Sequence, residues 1–440
     1  MAKVLLIAYD NGSHIPFFPI NLFYLMGALV KEKHQVGLWH QDIHHGKEEA
    51  LTKILDENPF DVVGLGFCGG YYQYEKAKLI SAAVNRSKRR KEFRYVLGGH
   101  GPGAVPDYFL GCLNADTVIV GDGEHGIMEN KKGVVQGRPC DQDEAPLNCY
   151  RYFPMDIYRL IRWPTSSGTD FCFPILSSRG CKWNCSFCYR MRDGFYERSV
   201  EAIIEEIKYL HREYHINHFQ FADELLMSSE KRTEEICEVI LGLSFKIKWD
   251  CSGRLNFATS KILQKMRKCG CEYINYGIES LDQTILNEMG KGLSLNQIVS
   301  GVEATRACNL SPGLNLIWGF PGDTTENLSK AVEFIKKYDP GDELRTIRPV
   351  TPYPGTRLYK QAIEKGLLEG PEDFYEKKHK NSDLFTINFM DIPTDVAHKK
   401  LYSANVRLLE NYLQKRGEKT QKAARGMYFE GRAFRGFRSV

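Results

Sequence analysis

The sequence predicts an α/β fold built from two parallel sheets, and two observations in its patterning support that fold class. From Met1 to about Gly123, short runs of Val, Leu and Ile alternate with helix-like segments, and from Phe173 the same alternation starts again. Continuous apolar strands separated by helices are typical of parallel sheets that are covered on both faces. The chain has 440 residues, of which 42% are hydrophobic and 26% charged, and this is enough for two such domains.

Residues 1–130 are predicted to form a doubly wound, Rossmann-like domain of the flavodoxin type. Its strands are "KVLLIAY", "QVGLWH", "DVVGLGF", "RYVLGG" and "TVIVGDGE", with helix-like segments between them. Glycines follow the strand ends, where such sheets bind ligands, and ordinary tight turns are the alternative explanation for them. The candidate binding glycines are Gly98, Gly99, Gly121 and Gly123.

The remaining chain divides into three further segments. Residues 131–167 contain several prolines and little periodicity, so we expect a linker. Residues 168–383 predict a partial (βα)6 barrel, in which chemistry occurs at the carboxyl ends of the strands. Its six strands are "FPILSS", "HFQFADE", "KIKWDCSGR", "YINYGIES", "GLNLIWGFPG" and "LRTIRPV". Residues 384–440 are expected to form a short helical, basic extension.

Charge and cysteine content narrow the class of protein. The net charge of +4 is small for this length, and only the last thirty residues are clearly basic, so we expect no nucleic-acid partner. No apolar run reaches about 18 residues, which predicts a cytoplasmic protein without a membrane-spanning segment. Thirteen cysteines, an odd number, indicate reduced thiols, some of them ligands.

Three of the cysteines lie within eight positions of the stretch "SSRGCKWNCSFCYR", as Cys181, Cys185 and Cys188. Structural zinc usually takes four ligands in two separated pairs, so this compact trio suits zinc poorly. An iron-sulfur cubane with three cysteine ligands keeps one iron open for a substrate or cofactor. Surface thiols without a ligand role are the remaining alternative.

This motif resembles that of the radical S-adenosylmethionine (radical SAM) superfamily. The CxxxCxxC spacing with Phe187 before the last cysteine, "QFADELL", "GIES", "GFPGDTTEN" and "TPYPGTRLY" are similar to segments of its cobalamin-dependent branch. "LGGHGPGAVPDYF" and "ADTVIVGDGEHG" likewise resemble the cobalamin-binding domain of that branch. The resemblance spans roughly residues 3–360. It implies a 4Fe-4S cluster on the three cysteines, S-adenosylmethionine on the open iron, and cobalamin in the amino-terminal domain.

The resemblance also implies roles for individual residues. Phe187 would pack on the adenine, and Asp223 or Glu224 would bind the methionine ammonium group. Arg254 would face the methionine carboxylate. Glu279, or less directly Ser280, would hydrogen-bond the ribose. No catalytic residue is assigned beyond the cluster.

The amino-terminal domain departs from one pattern of cobalamin proteins, the DxHxxG motif whose histidine coordinates cobalt from below. Asp10 and His14 have the wrong spacing, and His44 lies in a second, shorter candidate, "DIHHG". We therefore expect cobalamin without a protein lower axial ligand. The four glycines named above would line its pocket.

The predicted function is methylation of an unactivated carbon, with methylcobalamin and a 5′-deoxyadenosyl radical generated from S-adenosylmethionine. Two alternatives stay open: a radical cyclase or rearrangement enzyme with the same cofactors, and a non-catalytic corrinoid-binding or electron-transfer protein. The expected partners are a reductant such as flavodoxin or ferredoxin and a small-molecule or peptide substrate.

Overall fold

The computed structural model describes residues 1–12, 16–163, 165–190 and 194–431. Two six-stranded parallel sheets dominate the fold, one in each half of the chain, and a two-stranded antiparallel pair accompanies the second sheet. Within the described ranges, no helix is both long enough and apolar enough to cross a membrane.

The amino-terminal sheet begins at the first strand of the chain. Its strands are β1 (Lys3–Ala8), β2 (Gln35–His40), β3 (Val62–Gly66), β4 (Arg94–Gly98), β5 (Thr117–Val120) and β6 (Gly133–Gln136). They pair in parallel in the order β2-β1-β3-β4-β5-β6. The chain direction across the sheet reverses between β1 and β3, and ligands bind at such switch points, beyond the carboxyl ends of the strands.

Helices cover both faces of this sheet. They are α1 (Ile20–Lys31), α2 (Gln41–His44), α3 (Glu49–Glu57), α4 (Tyr71–Arg86), α5 (His100–Ala104) and α6 (Pro106–Cys112). Val4 and Leu6 of β1 belong to the core that includes α1, whereas Leu5 and Ile7 belong to the core that includes α3 and α4. Burial on both faces explains why β1 reads as a continuous apolar run.

The predicted linker at residues 131–167 is wrong in its first part. β6 lies inside this segment and pairs in parallel with β5, from Thr117 opposite Gly133 to Val120 opposite Gln136. The connection between the two strands has turns but no helix in the structure. The rest of the segment is packed and contains α7 (Met155–Tyr158). Tyr150, Phe153 and Tyr158 surround Phe18, with ring centroids 4.9 to 5.6 Å from its own.

The second sheet is the predicted partial barrel. The strands of this half are β7 (Cys172–Ile175), β8 (Ser178–Gly180), β9 (Phe195–Glu197), β10 (His218–Phe221), β11 (Lys248–Gly253), β12 (Cys271–Glu279), β13 (Ser311–Trp318) and β14 (Arg348–Pro349). Six of them pair in parallel in the order β14-β13-β12-β11-β10-β7, and β8 pairs antiparallel with β9. Each predicted barrel strand therefore corresponds to an observed strand of this half-barrel sheet.

The helices that alternate with these strands begin at side-chain caps. They are α8 (Val200–Tyr214), α9 (Glu230–Leu241), α10 (Ser260–Lys268), α11 (Gln283–Glu288), α12 (Leu295–Ala307), α13 (Thr325–Tyr338) and α14 (Arg357–Glu364). At each one, a Ser, Thr or Asp side chain accepts a hydrogen bond from a backbone N–H of the first turn. Such caps contribute about 1 kcal/mol each and fix where a helix starts.

A long helix, α15 (Thr394–Phe429), forms most of the carboxyl-terminal extension. Its buried side chains include Leu401 and Leu408, and it packs against α13. Lys415 donates from Nζ to the carbonyl oxygens of Lys336 (2.8 Å) and Asp339 (2.7 Å), where α13 ends. A lysine at this position stabilises a helix end because the carbonyl groups there carry partial negative charge.

Candidate active site

The loop of three cysteines begins where β8 ends, close to the carboxyl end of β7. The β8 and β9 strands pair through Ser178–Gly180, so they hold both ends of the loop together. Gly180 has a φ of +83°, and a Cβ there would lie 2.3 Å from the carbonyl oxygen of Gly194. Only glycine fits this position, which explains the "RGC" sequence before the first cysteine.

Backbone hydrogen bonds fasten the loop to two barrel helices. The N–H of Ser186 donates to the carbonyl of Met289 at the end of α11 (2.8 Å), and the N–H of Leu358 in α14 donates to the carbonyl of Ser186 (2.9 Å). Arg190 donates to the carbonyl of Cys181 (3.3 Å). These hydrogen bonds hold the part of the loop that carries the three thiols.

Burial favours the neutral form of two of the three thiols. Although Cys188 is accessible to solvent, burial raises its pKa to about 12, and the neighbouring Cys185 thiol adds to the rise. Burial likewise raises the pKa of Cys181. No three described His, Cys, Asp or Glu side chains converge on a single metal ion, but cluster ligation does not require this, because each cysteine binds a different iron. The trio therefore fits the predicted cluster better than a zinc ion.

Arg254, predicted to face a carboxylate, is committed to the cysteine loop. Its guanidinium carbon lies 3.6 Å from the ring centroid of Trp183, a cation–π contact. Its Nη2 donates to the carbonyl oxygens of Lys291 and Gly292. Nε is buried without a hydrogen-bond partner in the described part of the chain, so it is one donor that a ligand can use.

The structure separates the two carboxylates of the acidic turn after β10. Asp223 is buried and accepts hydrogen bonds from the backbone N–H groups of Ser177 and Ser178 and from the Ser177 hydroxyl, each at 2.7 Å. Burial raises the pKa of Asp223 to about 6, which these bonds oppose. Glu224 is exposed, and its charge contributes to the raised pKa values of Cys181 and Cys188. Of the two, Glu224 is the carboxylate available to a ligand beside the thiols.

Glu279 lies at an irregularity at the carboxyl end of β12. It has a φ of +70°, unusual for a residue with a side chain, and the pairing register with β13 shifts beside it. Its Oε1 is 3.0 Å from Nζ of Lys291, and both side chains are largely buried. Ser280 is buried, and its hydroxyl accepts a hydrogen bond from the N–H of Asp282 (3.1 Å). Ser280 therefore shapes the turn, and Glu279 keeps a polar side chain at the strand end.

The side chain of Phe187, which belongs to the cysteine loop, is half-buried. It packs on a small apolar cluster that includes Met289, Phe320 and Leu358, and it also lines the larger of two adjoining cavities. Packing on adenine remains a prediction for this side chain.

The four predicted glycines lie together at the carboxyl edge of the amino-terminal sheet. Gly98, Gly99, Gly121 and Gly123 line a cavity of about 390 Å³. A Cβ on Gly99 (φ +91°) would lie 2.7 Å from the carbonyl oxygen of Phe67, whereas one on Gly98 would meet no atom within 4 Å. Gly99 is needed for the turn, whereas Gly98 leaves open space beside the cavity.

Of the two histidines weighed as cobalt ligands, His14 lies outside the described residues. His44 is exposed at the end of α2, which directly follows β2.

A buried ion-pair cluster joins the two halves of the molecule. Nη1 of Arg179, two residues before the first cysteine, is 2.7 Å from Oε1 of Glu124 and 3.4 Å from Oδ1 of Asp122. All three side chains are at least 90% buried. The "GDGE" segment predicted to bind a ligand is therefore also tied to the cysteine loop.

The larger cavity, of about 830 Å³, lies between the cysteine loop and the amino-terminal sheet. Cys188 and Tyr189 line one side, and the segment after β3, from Cys68 to Gln73, lines the other. Cys68 and His100 line both cavities. The predicted cluster site and the glycine-lined edge thus adjoin the same space.

Comparison with known proteins settles the family. A family model described as the Radical SAM superfamily matches residues 175–335, from the last residue of β7 into α13. A protein of Pyrococcus horikoshii named as an uncharacterized methyltransferase is 31% identical over 80% of this chain and 79% of its own. The chain belongs to the radical SAM superfamily.

Two further similarities concern this radical SAM chain. Bacteriochlorophyllide d C-8(2)-methyltransferase of Chlorobaculum tepidum is 25% identical, over 82% of this chain and 79% of that one. The solved structure of the radical SAM methyltransferase TsrM from Kitasatospora setae, with cobalamin and a 4Fe-4S cluster bound, has a TM-score of 0.64. It shares 16% identity over 84% of this chain and 80% of that chain, so it is a likeness of fold.

Sequence reasoning missed two residues that contact predicted site residues, and it did not foresee the ion-pair partners of Arg179, a cation that flanks the cysteines in the sequence. Trp183 contacts Arg254, and Lys291 contacts Glu279. Arg179 forms the buried ion-pair cluster with Glu124. Lys291 had one local signal, since it stands between Gly290 and Gly292, both with positive φ. The other two contacts depend on residues far away in the sequence.

Proposed function

We propose that this radical SAM enzyme is a cobalamin-dependent C-methyltransferase that methylates an unactivated carbon. The observation that carries the proposal is the pair of adjoining cavities, one at the glycine-lined sheet edge and one against the cysteine loop, which share Cys68 and His100. Relatives named as methyltransferases and the cobalamin-bound TsrM structure support the same function.

Cys181, Cys185 and Cys188 would hold a 4Fe-4S cluster. When bound, the cluster supplies the electron that cleaves S-adenosylmethionine reductively. Glu224 would accept the methionine ammonium, because the carboxylate of Asp223 is already engaged by Ser177 and Ser178. Asp223 instead holds the chain before the cysteines in place.

Three further residues would position the nucleoside and the amino acid. Glu279 would accept from a ribose hydroxyl while Lys291 fixes its carboxylate. Arg254 would orient Trp183 and the loop, and its Nε would donate to the methionine carboxylate. Phe187 would cover the adenine from the side of the larger cavity.

Cobalamin would bind at the carboxyl edge of the amino-terminal sheet, against Gly98, Gly99, Gly121 and Gly123. When bound, it carries the methyl group between donor and substrate. We propose that no histidine of this chain coordinates the cobalt from below, so neither His14 nor His44 acts as an axial ligand. The enzyme would accept electrons from a flavodoxin or ferredoxin and act on a small molecule or peptide.

Product stoichiometry tests the proposal. Reconstituted protein is incubated with reductant, methyl-labelled S-adenosylmethionine and fractionated host extract, and the fraction that receives the label supplies the substrate. S-adenosylhomocysteine and 5′-deoxyadenosine should then form in equal amounts with the methylated product. The Cys185→Ala variant, treated identically, should form no 5′-deoxyadenosine. Formation of 5′-deoxyadenosine with product but without S-adenosylhomocysteine would identify a cyclase or rearrangement enzyme instead.

A separate measurement tests whether a histidine coordinates the cobalt. Electron paramagnetic resonance of the Co(II) form should show no nitrogen hyperfine splitting from an axial imidazole. Splitting that disappears in His14→Ala or His44→Ala would assign a lower ligand and contradict the proposal.

A further inference from the structure

The larger cavity is lined by several residues besides those assigned to the cofactors, and they carry information about the substrate. Its volume of about 830 Å³ falls within the range of small-molecule sites, roughly 300–1,000 Å³. Five separate segments line it: the loop after β3, His100 at the start of α5, the cysteine loop, β14 with the segment after it, and residues from Tyr375 to Ser382. The chemistry of these segments is strongly biased in two respects.

The first bias is aromatic. Six Tyr or Phe side chains line the cavity, from both halves of the molecule: Tyr71, Tyr72, Phe187, Tyr189, Tyr353 and Tyr375. Gly69 keeps the wall close to two of them, because a Cβ there would lie 3.2 Å from the Tyr375 hydroxyl oxygen and 3.7 Å from the Tyr353 ring. Aromatic walls favour flat, conjugated ligands through offset stacking and edge contacts.

The second bias is electrostatic. Arg348 and Lys380 line the cavity, whereas no Asp or Glu does among the described residues. Nε of Arg348 is 3.4 Å from Asp383, which is outside the lining, and both side chains are more than 60% exposed, so this pair is weak. Lys380 has no carboxylate within 4.0 Å in the described chain; its Nζ donates one hydrogen bond to the carbonyl oxygen of Glu376, lies 5.2 Å from the ring centroid of Tyr71, and keeps two further N–H groups. Both cations are therefore available to an anionic ligand.

We propose that the larger cavity binds a planar, conjugated substrate that carries an anionic group, with the conjugated part between the tyrosines and the anion at Arg348 and Lys380. This inference rests on the proposed function for one point, that the ligand of the cavity is the molecule that receives the methyl group. The binding preference itself follows from the lining.

Binding of three matched probes tests the proposal without turnover. The probes are 1-pyrenecarboxylate, 1-pyrenemethanol and 1-pyrenemethylamine, which present an anion, a neutral group and a cation on one planar ring. Equilibrium dialysis against holoenzyme, with cluster and cobalamin bound and no reductant, measures each dissociation constant. The carboxylate should bind about tenfold more tightly than the alcohol, as charge-assisted hydrogen bonds predict, and the amine should bind most weakly.

Variants assign the preference to the cavity. The double variant Arg348→Gln with Lys380→Gln should bind the carboxylate and the alcohol within about twofold of each other. Lys377→Gln is the matched control, since Lys377 is exposed three positions earlier, pairs with Glu369 and does not line the cavity. Tyr353→Leu should weaken all three probes together.

Three results would overturn the inference: equal binding of the three probes, an unchanged carboxylate preference in the double variant, or probe binding that cobalamin abolishes. The last result would mean that the corrin fills the cavity. The cobalamin content of the same samples, and their S-adenosylmethionine cleavage after a reductant is added, report on the proposed function separately. If the protein neither retains cobalamin nor cleaves S-adenosylmethionine but still prefers the carboxylate probe, the proposed function is refuted and the proposed binding site is not.

Discussion

Replacing Arg179 should weaken the contact between the two halves of the molecule more than any exposed substitution. At an effective dielectric constant of about 20, unit charges at its distances from Glu124 (2.7 Å) and Asp122 (3.4 Å) attract by roughly 6 and 5 kcal/mol. Desolvation of three buried groups offsets most of this attraction. Removing one partner of a buried ion pair nevertheless costs about 3–5 kcal/mol, because an uncompensated charge stays buried.

We therefore expect Arg179→Gln to lower the free energy of unfolding by about 3–5 kcal/mol at pH 7.5, since Asp122 and Glu124 are left without their cation. Urea denaturation of the cofactor-free protein, followed by tryptophan fluorescence and circular dichroism, measures the change. Arg138→Gln is the control, because Arg138 is 74% exposed and its 3.2 Å pair with Glu129 should contribute less than about 1 kcal/mol.

A triple variant separates charge from packing. Arg179→Gln combined with Asp122→Asn and Glu124→Gln removes the buried charges together, so it should be clearly more stable than Arg179→Gln alone. If the triple variant is as unstable as the single one, lost packing rather than unpaired charge is the cause. If Arg179→Gln shifts the unfolding midpoint no more than Arg138→Gln, the ion-pair reasoning is refuted.

Further predictions concern the cluster, the acidic turn and a buried histidine. Anaerobically reconstituted Cys185→Ala should lose the absorption near 400 nm and most of the bound iron, whereas Cys269→Ala should retain both because Cys269 is buried directly after α10, before the amino-terminal end of β12. Retention of iron by the Cys185 variant would contradict the ligand assignment. Glu224→Gln should weaken S-adenosylmethionine binding about tenfold, as loss of a charge-assisted hydrogen bond predicts, with unchanged stability. Asp223→Asn should mainly lower the unfolding midpoint and affect S-adenosylmethionine binding little. If instead Asp223→Asn weakens binding and Glu224→Gln lowers stability, Asp223 is the residue that binds the ammonium group. Burial lowers the pKa of His218. The carboxylate of Asp250, whose Oδ2 is 2.9 Å from Nε2 of His218, outweighs burial and raises that pKa to about 9. The wild type should therefore exceed His218→Gln in stability by on the order of 2 kcal/mol below pH 6.5, and the difference should vanish as pH rises through 9. Denaturation at pH 6 and pH 10 measures this, and a difference that grows with pH would refute it.

The sheets were predictable because their signals are local. Runs such as "KVLLIA" are buried on both faces and therefore read as strands without any knowledge of their neighbours. β6 was not predictable in this way. Its sequence, "GVVQ", has only two consecutive apolar residues, and what makes it a strand is pairing with β5. Tertiary pairing of this kind leaves little trace in a four-residue window.

The site was predictable only as far as its motifs are contiguous. The cysteine spacing lies within eight residues, whereas the choice between Asp223 and Glu224 depends on Ser177, 46 positions earlier. The two carboxylates have the same chemistry and adjacent positions, so the sequence contains nothing that separates them. Arg254 raised the same difficulty, because Trp183 and the backbone of Lys291 engage its guanidinium from two other parts of the chain.

The cysteine loop and the cationic lining of the larger cavity are held by different parts of the chain, and this matters for substrate specificity. The cysteine loop is held by its own β8–β9 pair and by two barrel helices, so its geometry depends little on the cavity lining opposite it. The cations of the lining, Arg348 and Lys380, are exposed side chains on other segments. Exchanging them should change which substrate binds while the loop retains its geometry, because neither side chain contributes to the hydrogen bonds that fix the loop. If the larger cavity binds the substrate as proposed, chemistry and substrate choice are separable in this fold, and we expect homologous chains with the same cysteine loop to differ in the charge of this cavity.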